Sequence, residues 1–430
     1  MMLTAITLEN FKSYRQATLP LSLLTVLIGA NASGKSNVIE ALRLLSWLAH
    51  GQKLAAIRHA VQSGDQVVRG KLDELAYHRS ETFGLGAQTH AAEWNRLSIY
   101  LSRRADGLHI TSESLTHAGD TVPLYTLDQP SSGQDTEVRV TYNNFAEGGN
   151  PPHLTCTDQA AIFTQLTSPA TFDAAHKSSR ERISPVVKEL ERSLSATLFL
   201  DPVAAQMRGY AFPSDAILLD SGRNVSAVLF NLWGREENAH SEPYSSHRAA
   251  ILRFIQSLPE QDIAGLSFLE EPRGGVMLQL TETFGGKADK RDASLLSDGT
   301  LRVLAIAAAM LSASQGSLVI IEEIDNGVHP SRAYHLLQQI QNIARQRNLR
   351  VLLSTHNPAM LDALPASAVP DVVFCYRHPE DGSSRLVRLA DVPDYPELIA
   401  QGTLGHLMTS GALERFIKPT DTPHLSIIAN

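Results

Sequence analysis

Gly29-Ala30-Asn31-Ala32-Ser33-Gly34-Lys35-Ser36 matches every fixed position of the phosphate-binding pattern GxxxxGK[ST]. Leu24-Thr25-Val26-Leu27-Ile28 before it reads as a buried strand. Asn37 to His50 behind it reads as a helix, with Val38, Leu42, Leu45 and Leu48 at helical spacing. The loop therefore runs from a strand end into a helix N-terminus. Gly29 and Gly34 let the backbone curl so that successive N–H groups face one anion, and the helix dipole adds positive potential at the same point. In that geometry Lys35 reaches the β- and γ-phosphates of a nucleoside triphosphate, and the Ser36 hydroxyl ligates Mg²⁺. The expected nucleotide-binding set is Gly29, Ala30, Asn31, Ala32, Ser33, Gly34, Lys35, Ser36 and Asn37, with ATP and Mg²⁺ as cofactors.

Before the loop, Leu3 to Leu8, Ala17 to Leu21 and Leu24 to Ile28 predict strands forming an antiparallel entry. Tyr14 and Arg15, in the turn between the first two, stand either against the nucleotide or as surface turn residues. Beyond the loop helix, Gln52 to Gly86 reads as helical and then irregular. Leu97 to Leu101, Leu108 to Ile110 and Val138 to Tyr142 predict an antiparallel β-region, with loops at Gln129 to Gln134 and Glu147 to Pro152. Residues 158 to 260 turn helical, with Ile183 to Leu198 and Ile251 to Leu258 the clearest amphipathic runs. Leu198 to Pro202 and Asp220 to Val225 read as connectors. His176, Lys177, Arg180 and Arg182 form a basic cluster that fits either a phosphate backbone or a solvated helix face.

Strands at Leu266 to Leu269 and Val276 to Thr283 precede a second informative stretch, Ser294-Leu295-Leu296-Ser297-Asp298-Gly299-Thr300, which opens an apolar helix from Leu301 to Ser312. Ser297 and Gly299 thus stand at another helix N-terminus, where a hydroxyl and free N–H groups can face a phosphate; an ordinary Ser cap is the alternative reading. The third stretch, Leu318-Val319-Ile320-Ile321-Glu322-Glu323, describes a buried parallel strand that delivers two carboxylates to its C-terminal edge. Glu322 is expected to hold Mg²⁺ through water and Glu323 to polarise the attacking water. A helix from Ser331 to Arg347 and a strand Arg350 to Ser354 then place His356 at the same edge, within reach of a γ-phosphate.

The 430 residues carry 43% hydrophobic and 19% charged side chains, which is globular composition, and a net charge of -8 that gives no overall pull toward nucleic acid. Cys156 and Cys375 lie far apart, outside any zinc-ligand spacing and without a disulfide framework, which fits a reducing cytoplasm. No apolar run reaches the length that spans a bilayer.

Taken together, the motifs resemble the ABC-type ATPase heads of the RecF, SMC and overcoming-lysogenization-defect group, often labelled AAA family ATPases. The resemblance is carried by Leu8-Glu9-Asn10-Phe11, the phosphate loop, Leu295 to Arg302 as signature, Ile321 to Pro330 as acidic strand and D-loop, and Ser354-Thr355-His356-Asn357-Pro358 as the switch histidine. It implies an α/β fold: an ABC-ATPase head with a mixed or parallel central sheet, an antiparallel β-subdomain and an inserted, mainly helical region. The expected segments are 1–90 with the phosphate loop, 91–260 as the insertion, and 261–430 with signature, acidic strand and histidine. It also implies a homodimer, or a higher homo-oligomer, in which the signature of one head closes over ATP on the other.

Three departures stand out. Glu322 occupies a position where the family commonly has Asp; His329 stands at a D-loop position commonly Asp; and no Q-loop is assigned, Gln88 being a candidate only. No heptad run supports a long coiled coil, and the segment after His356 has no acidic triad of the fused nuclease kind. The resemblance points to a stand-alone cytoplasmic ATPase that regulates a partner effector, a nuclease or toxin in bacterial anti-phage defence. The alternative is a RecF-like repair or recombination ATPase that binds DNA itself.

Overall fold

A computed structural model describes residues 1–57, 67–117, 122–146, 151–235, 241–256, 263–284 and 287–417. Its strands, in chain order, are β1 (Leu3–Phe11), β2 (Tyr14–Pro20), β3 (Leu24–Ile28), β4 (Thr82–Thr89), β5 (Arg96–Arg103), β6 (Leu108–Thr116), β7 (Tyr125–Gln129), β8 (Glu137–Tyr142) and β9 (His153–Thr157). They continue as β10 (Leu198–Leu200), β11 (Ile263–Glu270), β12 (Val276–Phe284), β13 (Lys287–Asp292), β14 (Leu318–Ile321), β15 (Arg350–Ser354), β16 (Val372–Arg377) and β17 (Ser384–Arg388).

The phosphate-loop strand lies inside a six-stranded sheet of order β10-β14-β15-β3-β16-β17, parallel throughout except for β17 at one edge. These strands read as continuous apolar runs because both faces of the sheet are covered. Alternate residues feed two separate cores. Leu24, Val26 and Ile28 of β3, Val319 and Ile321 of β14, and Val351 and Leu353 of β15 face one; Leu27, Leu318, Ile320 and Leu352 face the other. The first core is closed by helices Val225–Trp233, Tyr244–Gln256, Asp298–Ser312 and Pro330–Gln346. The second is closed by the loop helix Lys35–Ala49, helix Lys177–Ser195 and an eight-stranded antiparallel sheet of order β2-β1-β4-β5-β6-β7-β8-β9. A three-stranded antiparallel sheet, β11-β12-β13, completes the fold.

This is the expected ABC-head architecture, with three local differences. Leu198 to Leu200 is not a connector but β10, pairing in parallel with β14. Val372 to Tyr376, which with Leu386 to Leu389 reads in the sequence as an edge strand finishing the head, is β16 and lies between β3 and β17. The turn between β1 and β2 is only Lys12-Ser13, because both strands run longer than their apolar alternation. Sheet membership also crosses the expected segments: the eight-stranded sheet takes strands from both sides of residue 90, and β10 joins the central sheet from within the insertion. Of the expected loops, residues 147–150 lie outside the described residues, as do 257 and 258 of the second amphipathic run.

Candidate functional site

Parallel order brings the C-terminal ends of β3, β10, β14, β15 and β16 to one edge of the central sheet, where open α/β sheets hold ligands. The phosphate loop follows β3 there. Gly29 and Gly34 have φ of 147° and 122°. A Cβ at Gly29 would lie 2.1 Å from the Cys375 carbonyl oxygen, and one at Gly34 would lie 2.4 Å from Ser384 Oγ. Both positions therefore admit only glycine.

The loop rests on a bed the sequence did not reveal. The Tyr14 hydroxyl donates to the Gly34 carbonyl at 3.1 Å and touches Cys375 Sγ at 3.2 Å, while Ser384 Oγ donates to the Ser33 carbonyl at 2.6 Å. Tyr14 is fully buried, and burial pushes its hydroxyl well above its usual pKa. Of the two roles open to it, touching the nucleotide or lying on the surface, it takes neither; it supports the loop from beneath. Arg15 is exposed.

Lys35 Nζ folds back onto the loop and donates to the carbonyls of Gly29 at 2.7 Å and Ala30 at 3.0 Å. Partial burial lowers its pKa, with Glu323 and Asp325 among the charges that oppose the shift. Ser33 Oγ is buried within the loop without a hydrogen-bond partner. A glycine-only cradle, an orphaned hydroxyl and a cation held only by carbonyls fit a polyanionic ligand.

In front of the loop opens a cleft of about 460 Å³, within the range of small-ligand sites. Asn31, Ala32, Gly34, Lys35, Ser36 and Asn37 line it from the loop, and Glu322, Glu323 and His356 from the neighbouring strand ends. Arg69, Ser354, Thr355 and Arg377 also line it. β16, paired with β3, carries Arg377 to the cleft, and its Nε donates to the Ala32 carbonyl at 3.1 Å. No local pattern marks Arg69.

The two carboxylates differ in setting. Glu322 accepts from Arg43 Nη2 at 3.2 Å, and burial pushes its carboxyl above the usual range while Arg43 pulls it back. Glu323 sits at φ 46°, a left-handed conformation that costs a non-glycine residue about 1–3 kcal/mol. It is held there because its N–H donates to Ser354 Oγ at 3.0 Å and the next N–H, of Ile324, donates to the Ser354 carbonyl at 3.1 Å. Asn326 Nδ2 fixes the carboxylate itself at Oε2, 2.5 Å away. Asp325, largely buried, accepts from Thr355 Oγ1 at 2.6 Å, and its other oxygen lies 3.6 Å from His356 Nδ1.

Ser36 and Glu322, both oxygen donors, share this cleft. Among the described residues no cluster of three or more His, Cys, Asp or Glu could hold a metal ion. The two oxygens beside the phosphate loop fit Mg²⁺, which takes one or two protein oxygens and completes its shell with phosphate and water.

Ser297 and Gly299 are not part of this cleft. Ser297 caps the helix Asp298–Ser312, its Oγ accepting from the Thr300 N–H at 3.2 Å, and it is exposed. A Cβ at Gly299 would lie 2.2 Å from the Gly327 carbonyl oxygen, so the signature packs directly on the D-loop of its own chain. Arg208 fastens the other side, donating to the Leu296 carbonyl at 2.7 Å and to Asp298 at 2.5 Å. His329 serves as a helix cap, its Nδ1 accepting from the Ser331 N–H at 3.3 Å, which is work an Asp side chain also does.

Gln88, the Q-loop candidate, pairs with Ala5 and Arg96 inside the antiparallel sheet and does not line the cleft. The residue delivered to the sheet edge by β10 is instead Asp201, whose carboxyl is raised by burial and by the charge of Glu323. The basic cluster lies on a solvated helix face with local partners, Lys177 and Arg182 being exposed. Arg182 lies over the rings of Trp94 and Phe145, Arg180 donates to the Pro169 carbonyl, Lys177 pairs with Glu181, and His176 is bonded to Tyr142. Among the described residues no helix is long and apolar enough to cross a membrane.

Residues 162–362 match a family model described as "AAA domain, putative AbiEii toxin, Type IV TA system", and residues 1–83 match one described as "AAA ATPase domain". A search of the curated proteins gives no match. Among solved structures, an SMC head bound to the C-winged helix domain of ScpA is similar at TM-score 0.51 and 12% identity, covering 90% of this chain and 98% of that one. The SMC head domain from Thermotoga maritima aligns at TM-score 0.41 and 12% identity, over 90% and 99% of the two chains. The chain thus carries AAA-family ATPase domain matches at 1–83 and 162–362, on a fold similar to that of an SMC ATPase head.

Proposed function

We propose that the chain is an ATP-hydrolysing switch that dimerises around Mg·ATP and regulates a partner effector, a nuclease or toxin in anti-phage defence. The observation that carries the dimer is the placement of Ser297 and Gly299. They form a second helix N-terminus suited to a phosphate, yet they lie outside their own chain's cleft. A second copy would supply the phosphate that this N-terminus faces. Gly299 against Gly327 would then tie closure of the dimer to the D-loop beside Glu323.

Within the cleft, Ser36 and Glu322 would hold Mg²⁺, which when bound supplies positive charge against the β- and γ-phosphates. Lys35 would exchange its two carbonyl partners for phosphate oxygens. Glu323, aimed by Ser354 and Asn326, would orient the attacking water and take its proton. His356 would donate toward the γ-phosphate, with Asp325 behind it.

The effector reading has two supports. The matched family description names a toxin system, and exposed apolar side chains concentrate in the inserted region at Val203, Tyr210, Phe212, Ile217 and Leu219, with Leu295 beside the signature.

The composite site is tested by mixing. Lys35→Ala and Ser297→Arg variants should each be inactive in ATP hydrolysis. Mixed in equal amounts they should recover about a quarter of wild-type activity, because half of randomly formed dimers are mixed and each has one intact site of two. Mixtures no more active than either variant alone would contradict it.

A further inference from the structure

Glu322 lines two adjoining spaces. One is the nucleotide cleft and the other a cavity of about 630 Å³ along the loop helix, and Ser36 and Arg69 line both with it. From that second cavity Arg43, one turn and more beyond the phosphate loop on the same helix, donates Nη2 to Glu322 Oε1 at 3.2 Å. Its Nη1 is held by Asp220, and its guanidinium lies 4.5 Å over the centre of the Phe199 ring. Asp220 is in turn fixed to the sheet edge, since its carbonyl accepts from the Asp201 N–H at 2.8 Å. Among the described residues Glu322 Oε2 has no side-chain partner.

A glutamate has one more rotatable bond than the aspartate common at this position, so its carboxylate needs an added constraint to present one oxygen to a metal. We propose that Arg43 is a positioning residue for magnesium. Anchored by Asp220 and Phe199, it holds Glu322 Oε1 and leaves Oε2 as the oxygen that would serve the metal with Ser36. Its planar fork, holding two carboxylates at once while stacked on an aromatic ring, does what a lysine ammonium cannot. This inference rests on the Mg·ATP reading of the cleft and concerns the support of one of its ligands.

Binding of N-methylanthraniloyl-ATP, titrated with MgCl₂ and compared with EDTA, separates the possibilities. Arg43→Ala should raise the magnesium concentration for half-maximal enhancement of binding about tenfold, the usual cost of losing an outer-shell partner, with nucleotide affinity in EDTA unchanged. Arg43→Lys should recover little of the loss, and Asp220→Asn should shift the titration in the same direction by less. In a Glu322→Gln background, Arg43→Ala should have no further effect on the magnesium titration. A lower magnesium requirement would make Arg43 a competitor of the metal and overturn the proposal. Equal weakening with and without magnesium would make it a purely structural residue and overturn it as well. If Arg43→Ala does not fold, the lysine and Asp220→Asn variants decide. Wild-type protein that binds no nucleotide in either buffer defeats the reading of the cleft itself, a failure distinct from an unshifted titration.

Discussion

Glu323→Gln is expected to lower ATP turnover about a thousandfold while leaving Mg·ATP bound, the loss typical of removing a positioned general base. The structure makes this substitution unusually clean. The backbone of Glu323 is set by Ser354 through hydrogen bonds to main-chain N–H groups, which glutamine keeps. Asn326 can still bond the amide oxygen. What is lost is the ability to accept a proton. Glu322→Gln should instead weaken magnesium-dependent nucleotide binding, because its place is with Ser36 and Arg43. Single-turnover hydrolysis and nucleotide binding, measured on both variants, read the two roles apart. Wild-type turnover in Glu323→Gln would pass the role of base to another group lining the cleft.

Lys35→Ala is expected to weaken ATP binding about a hundredfold, corresponding to roughly 3 kcal/mol for a cation with two charge-assisted hydrogen bonds to phosphate. Its amine is folded onto the carbonyls of Gly29 and Ala30. Removing it therefore leaves those carbonyls without that donor and should lower thermal stability modestly as well. The loop still rests on Tyr14, Cys375 and Ser384, none of which depends on the lysine, so the fold should survive. Isothermal titration with ATP, alongside circular dichroism, checks both parts; wild-type affinity would remove Lys35 from the site.

What could be read in the sequence was contiguous. Gly29 to Ser36, Leu318 to Glu323 and Arg350 to His356 each carry their strand, their turn and their chemistry in one short run, so local pattern places them at a sheet edge. The missed elements lack such a run. β10 has only three residues, and β13, Lys-Ala-Asp-Lys-Arg-Asp, is an exposed charged strand with no alternation to betray it. Arg69 and Arg377 line the cleft, and Arg43 reaches Glu322, only because of which strands and helices lie side by side, and no spacing in the chain encodes that. Tyr14 was legible as an aromatic beside the loop but not as its floor, since that depends on Cys375 and Ser384 arriving from far along the chain. Gln88 misled for the same reason: a glutamine is easily named, but β4 carries it into a different sheet.

The central claim is that two copies close around nucleotide, and the molar mass of Glu323→Gln in solution tests it most directly. Size-exclusion chromatography with light scattering should give the 46.9 kDa monomer without nucleotide and twice that mass with Mg·ATP. Ser297→Arg added to the same chain should abolish the shift. A mass that is the same with and without Mg·ATP, in a variant shown to bind it, would contradict the account.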